Sequence, residues 1–117
     1  MEQISYVFEM TINDGQMEAL KEKAAEYIQA VKDGEPGTLV YQWWLEEDGN
    51  RCVVHETFEN SDAMLVHLAN VGPSLPDLLA LAPITRFEVF GEVSEQGRAA
   101  LAELGVKHFA HLGGFSR

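Results

Sequence analysis

The sequence predicts an α+β domain, a four-stranded antiparallel sheet with its main helices on one face, and three observations predict it. Asp48-Gly49 stands between two runs of alternating residues, LVYQWWLEE and NRCVVHETF. That is a strong hairpin signal, because a tight turn needs positive φ and glycine adopts it without steric cost. Apolar residues recur at helical spacing between Met17 and Val31, and again between Met64 and Val71. Two further runs rich in β-branched and aromatic residues, 4–12 and 84–93, complete the order strand, helix, strand, strand, helix, strand.

The first strand places Tyr6, Phe8, Met10 and Ile12 on one face and Val7, Glu9 and Thr11 on the other. Asn13-Asp14-Gly15 ends it, with Asn13 or Asp14 as the cap of the helix that follows. In that helix Met17, Leu20, Ala24, Tyr27, Ile28 and Val31 form the inward stripe, and Gly34, Pro36 and Gly37 stop it. The hairpin over 39–58 has a fixed register: Glu46 opposite Arg51, Trp44 opposite Val53, Gln42 opposite His55 and Tyr41 opposite Glu56. One of its faces carries Leu39, Tyr41, Trp43, Leu45, Cys52, Val54, Glu56 and Phe58; the other carries Val40, Gln42, Trp44, Glu46, Arg51, Val53, His55 and Thr57. Each face has a tryptophan and several apolar residues, so each needs a cover.

Asn60-Ser61-Asp62 caps a second helix with Met64, Leu65, Leu68 and Val71 inward. Gly72-Pro73 and Pro76 interrupt it, which makes residues 74–82 a separate short helical piece. After the fourth strand, Ser94 caps a third helix running to Leu104, closed by Gly105 in a left-handed conformation, and residues 106–112 form a short extra strand. Right-handed crossovers turn this order into a ferredoxin-like βαββαβ unit with both main helices on one face. Its bare face carries Val7, Glu9, Val40, Gln42, Trp44, Val53, His55 and Thr57, and a second copy packed there across a two-fold axis makes a two-sheet barrel.

At 117 residues the chain forms one domain, 1–95 being the ferredoxin-like unit and 96–117 a helix and tail that join it or cover the partner. A formal charge of −11 argues against nucleic acid and anionic membranes, both of which require a basic surface. Cys52 is the only cysteine, so no intramolecular disulfide forms. No long apolar run and no signal peptide are read from the sequence, and the expected location is cytoplasmic.

The segments EPGTLVYQW (35–43), VVHETFEN (53–60) and AMLVHL (63–68) together resemble the antibiotic biosynthesis monooxygenase (ABM) domain of dimeric α/β barrel proteins. The resemblance covers roughly residues 4–93 and implies a homodimer. It implies a pocket within each subunit between helices and sheet, and chemistry on a small aromatic molecule with O2 and no cofactor. Carried onto this chain, the pocket lining comprises Tyr6, Phe8, Tyr41, Trp43, Val54, Glu56, Phe58, Met64, His67 and Val71, with Leu75 and Leu78 as a lid.

The reaction it implies is that of a cofactor-independent monooxygenase on a quinol- or anthrone-like substrate. His67, Glu56 and Tyr41 are the candidate catalytic residues: His67 or Glu56 as base, Tyr41 as the group that orients a substrate oxygen. Tyr6, Phe8, Trp43, Val54, Phe58, Met64, Val71 and Leu75 would bind substrate, Trp43 and Phe8 as flat walls. Each also has a structural reading, as packing or as a satisfied polar group. Trp44, His55, Gln42 and Glu9 are the candidate dimer contacts, His55 lying near Glu9 or its symmetry mate.

The alternative is a non-catalytic dimeric module that binds a small molecule. The haem-degrading relatives use an Asn on the first strand, a Trp at the end of the second helix and a His in the next helical segment. Here Phe8, His67 and a Pro/Leu-rich stretch stand in those places, which ranks haem third. His108 and His111 lack the Cys or carboxylate companions of a metal site, and none is expected.

Overall fold

The computed structural model describes residues 2–117. Five strands and four helices follow one another: β1 (Ile4–Thr11), α1 (Met17–Gly34), β2 (Thr38–Leu45), β3 (Arg51–Phe58), α2 (Ser61–Val71), a 3-10 turn (Gly72–Ser74), α3 (Leu75–Leu81), β4 (Ile84–Phe90), α4 (Glu95–Leu101) and β5 (Lys107–Phe109). The strand order is β2-β3-β1-β4-β5, the ferredoxin-like arrangement extended by one strand. β5 pairs parallel to β4, so the sheet is five-stranded and mixed rather than four-stranded and antiparallel. Within the single chain it stays open, with β2 and β5 at its edges.

The hairpin register is the expected one, Tyr41 facing Glu56, Gln42 facing His55 and Trp44 facing Val53. The positive φ of its turn, however, falls on Asp48 (φ 56°) and not on Gly49. Aspartate tolerates that region because its short polar side chain bonds locally. β3 alternates without error, Cys52, Val54, Glu56 and Phe58 buried under the helices. β2 does so only partly, since at the sheet edge Leu39 and Leu45 remain exposed.

Several local expectations change. α1 starts from Gln16 with no side-chain cap, and Asn13 donates instead to the Ala80 carbonyl, tying the loop to α3. Ile28 turns outward on α1, leaving Leu20, Tyr27 and Val31 as its buried contacts. β4 stops at Phe90 because Gly91 takes φ +120°. α4 ends at Leu101, and the chain turns through Gly105 at φ +71° before β5. The Ser61–Leu81 run is long and apolar enough to cross a bilayer by length and composition, a run the sequence reading overlooked. It breaks at Gly72-Pro73 and sets His67 and Asn70 in hydrogen bonds with Glu35, so it folds as a bent helical layer on the sheet.

Gly91 has two reasons to be glycine. Beyond its φ, a Cβ there would lie 2.9 Å from the Gln3 carbonyl oxygen, a backbone atom that cannot swing aside. Gly91→Ala is expected to cost about 1–3 kcal/mol, measured as a lower urea midpoint with an unchanged slope.

Candidate active site

Three buried titratable residues meet between the helices and the sheet. Glu35 is 3% exposed, Glu56 1% and His67 2%. His67 comes from α2, which Asn60 caps by accepting from the Ala63 N–H at 2.9 Å. The inward row of that helix is Met64, His67 and Val71. His67 Nδ1 lies 2.8 Å from Glu35 Oε1, and Nε2 lies 2.7 Å from Glu56 Oε1. The first contact is a hydrogen bond. The second has ion-pair distance but not hydrogen-bond alignment: among the described residues, neither Glu56 oxygen has a hydrogen-bond partner.

Glu35 occupies the cap position past the end of α1, with a non-helical backbone (φ −134°, ψ 78°), the helical region being disfavoured before Pro36. A carboxylate at the negative end of a helix dipole is unfavourable by itself. Three donors offset this: His67, Thr38 Oγ1 at 2.7 Å and Asn70 Nδ2 at 2.8 Å. Burial pushes the Glu35 pKa upward, but those donors outweigh it and hold the group below 4.5.

Glu56 is flanked on both sides, by Tyr6 of β1 and by Tyr41 of β2, each its register partner. Burial raises its pKa, against the pull of the His67 charge. His67 shows the opposite balance: burial disfavours its charge, yet the two carboxylates hold its pKa up at about 9. At neutral pH the imidazole is therefore protonated. Burial, followed by the proximity of Glu56, keeps both tyrosines protonated as well. Once Glu56 is ionised, the result is a carboxylate behind which an imidazolium is fixed and beside which two phenols stand as hydrogen-bond donors. Such a group can take a proton from a bound molecule.

A cavity of about 40 Å³ opens in front of Glu56. Of the residues expected to line it, Tyr6, Phe8, Tyr41, Glu56, His67, Val71, Leu75 and Leu78 do so. Val54, Phe58 and Met64 are instead fully buried core, and Trp43 packs edge to face against Tyr41 at 6.0 Å, outside the lining. Tyr27, Ile84, Phe87 and Leu104 join the wall without having been foreseen as lining. Glu35 was also missed as a site residue. The available signal was an acidic residue at a helix C-terminus just before a proline, a place where a carboxylate needs a reason to be.

Cys52 is buried and its thiol is pushed up to about 11 by burial, so it is no nucleophile. On the open sheet face, Trp44 is 55% exposed and its ring lies 6.0 Å from that of His55. Gln42 is exposed beside them. Glu9 pairs with Arg51 at 3.7 Å and with Thr85, while the ring neighbour of His55 is the tilted Trp44.

Fold and site together define an α+β protein with a buried acid–base centre facing a small aromatic-walled cavity. Residues 4–72 match the family model for antibiotic biosynthesis monooxygenase, and the chain belongs to that family. Among solved structures it is similar to MupZ from Pseudomonas fluorescens, with 27% identity and a TM-score of 0.88 over 100% of this chain and 96% of that one. SnoaB, a cofactor-independent oxygenase from Streptomyces nogalater, shares the fold at 20% identity and a TM-score of 0.59, covering 80% of this chain and 96% of its own. Rv0793 from Mycobacterium tuberculosis does so at 16% identity and a TM-score of 0.68, covering 80% and 97%. Among curated protein sequences, none matches the chain.

Proposed function

We propose that the protein is a cofactor-independent monooxygenase of a small neutral aromatic, quinol- or anthrone-like, in which Glu56 is the base. The observation that carries this reading is the pairing of a buried carboxylate, held against His67, with an aromatic cavity. The family it belongs to and the oxygenase activity of SnoaB, a protein of the same fold, support it.

In the proposed reaction Glu56 takes a proton from the activated carbon or hydroxyl of the substrate. The resulting anion is stabilised by His67⁺ and by the Tyr6 and Tyr41 hydroxyls, and its electrons add to O2. At a methylene carbon the adduct becomes a hydroperoxide on reprotonation. Loss of the second hydrogen with cleavage of the O–O bond leaves a carbonyl and one water, so one oxygen atom enters the product. His67, already protonated, acts here as the charge that steadies Glu56 and the substrate anion rather than as the base. Phe8 and Phe87, stacked with centroids 5.5 Å apart, supply part of the wall.

A cavity of about 40 Å³ does not hold a ring system, so Leu75 and Leu104 must move aside for such a substrate. The second reading is a binding module without turnover, which needs the same opening. Oxygen uptake with hydroquinones and anthrones separates the two, since only the first consumes O2 in proportion to product.

The working unit in this proposal is a cytoplasmic homodimer with the open sheet faces opposed. Trp44 is its anchor, a large aromatic on a face that one chain leaves uncovered. Trp44→Arg is expected to convert a dimer into a monomer at micromolar concentration, read by sedimentation, without change in far-UV circular dichroism. A native chain that sediments as a monomer removes the dimer from the proposal.

A further inference from the structure

The second oxygen of Glu56 poses a problem that the acid–base reading alone does not solve. Buried carboxylates are ordinarily hydrogen-bonded, because an unmet acceptor forfeits its solvation. Glu56 is 1% exposed and lines the cavity; its Oε1 lies 2.7 Å from His67 Nε2, while among the described residues no aligned hydrogen bond reaches Oε2. Tyr6 and Tyr41 flank it from the neighbouring strands and line the same cavity. The cavity, about 40 Å³, exceeds the roughly 10–15 Å³ that one water needs. One oxygen atom there can donate to Glu56 and accept from the tyrosine hydroxyls.

Charge narrows what else can take that position. No lysine or arginine lines the cavity, and its only cation, His67, is already held between two carboxylates. An anionic group brought beside Glu56 meets a like charge in a region of low dielectric with no free counter-ion. An unsubstituted hydrocarbon leaves the carboxylate unmet.

We propose that Glu56 is the docking point for a single neutral hydroxyl oxygen, which a water fills in the closed cavity and a ligand hydroxyl takes over. The site thereby selects hydroxylated compounds over their carboxylate and unsubstituted counterparts. This rests on the preceding section only for the cavity being the ligand site, and it requires no turnover.

Titration calorimetry of the full chain without oxygen, with 1-naphthol, naphthalene and 1-naphthoate at pH 7, tests it. Naphthol is expected to bind about tenfold or more tightly than naphthalene, and naphthoate not at all. Glu56→Leu, folded by its thermal transition, is expected to lose the preference and still bind naphthalene. A crystal of the ligand-free protein should show an ordered water within hydrogen-bond distance of Glu56. Equal affinity for naphthol and naphthalene, preference for naphthoate, binding of none of the three, or a dry cavity overturns the proposal. Binding in the expected order with no oxygen uptake upholds it while removing the oxygenase reading.

Discussion

Glu56→Gln is expected to lower the oxygen-consumption rate with an anthrone or hydroquinone roughly a hundredfold or more, with little change in KM. The amide keeps the shape of the side chain and its place between Tyr6 and Tyr41, but it cannot accept the substrate proton. The substitution takes from His67 one of its two carboxylates, so the variant should melt modestly below the native protein while keeping a cooperative transition. A loss of activity accompanied by loss of that transition would indicate a structural role. Full activity in a folded variant would take the base away from Glu56. In the proposed reaction the native protein should gain activity as pH rises through the elevated Glu56 pKa and lose it near pH 9 as His67 gives up its proton. Glu35→Gln withdraws one of the two carboxylates that hold His67 charged, so the alkaline limb should move to lower pH.

The second large effect is on stability. His67→Ala leaves Glu35 and Glu56 buried with no cation between them, and breaking a buried pair in this way costs about 3–5 kcal/mol. For a chain of this size that corresponds to a fall in Tm of more than about 10 °C. The pH dependence of the native protein follows from the same groups. His67 has a folded pKa of about 9 against 6.5 when unperturbed, so its contribution, about 3 kcal/mol, is complete below pH 6.5 and is lost as pH rises through 9. The raised pKa of Glu56 acts in the same direction, favouring the fold at lower pH. Glu35, with a lowered pKa, contributes above pH 4.5 and ceases to as pH falls through its folded value. Maximum stability is therefore expected between about pH 4.5 and 6.5. A profile flat to pH 9, or one rising toward it, would show that the trio is not linked to folding in this way.

The parts of this architecture that could be read from sequence are those governed by local chemistry. Asp48-Gly49 and the alternation around it place Glu56 under the helices and Trp44 on the open face. Asn60 and Ser94 marked real helix starts, whereas Gly105 is left-handed as expected but lies in the turn beyond a helix that ends at Leu101. Contacts over longer range were harder. Glu35 and His67 are 32 residues apart, and nothing in either local pattern says that the end of α1 reaches the middle of α2. Asn13 resembled a helix cap because its chemistry suits one, yet the carbonyl of Ala80, 67 residues away, took its side chain. Trp43 lies on the pocket side of β2 but outside the cavity wall, since facing inward on an edge strand does not decide which neighbour is met.

The cavity wall is divided along the chain in a way that matters for how such proteins diverge. Glu35, Glu56 and His67 fall inside residues 4–72, the stretch that carries the family pattern, whereas Leu75, Leu78, Ile84, Phe87 and Leu104 follow it. The matched stretch thus supplies the buried trio together with Tyr6, Phe8, Tyr27, Tyr41, Leu68 and Val71 of the wall, and the later portion supplies the remaining side. Descendants of a common ancestor can recut that side of the mould by drift in the latter half while leaving the trio alone, and a protein engineer can do likewise by randomising those five positions.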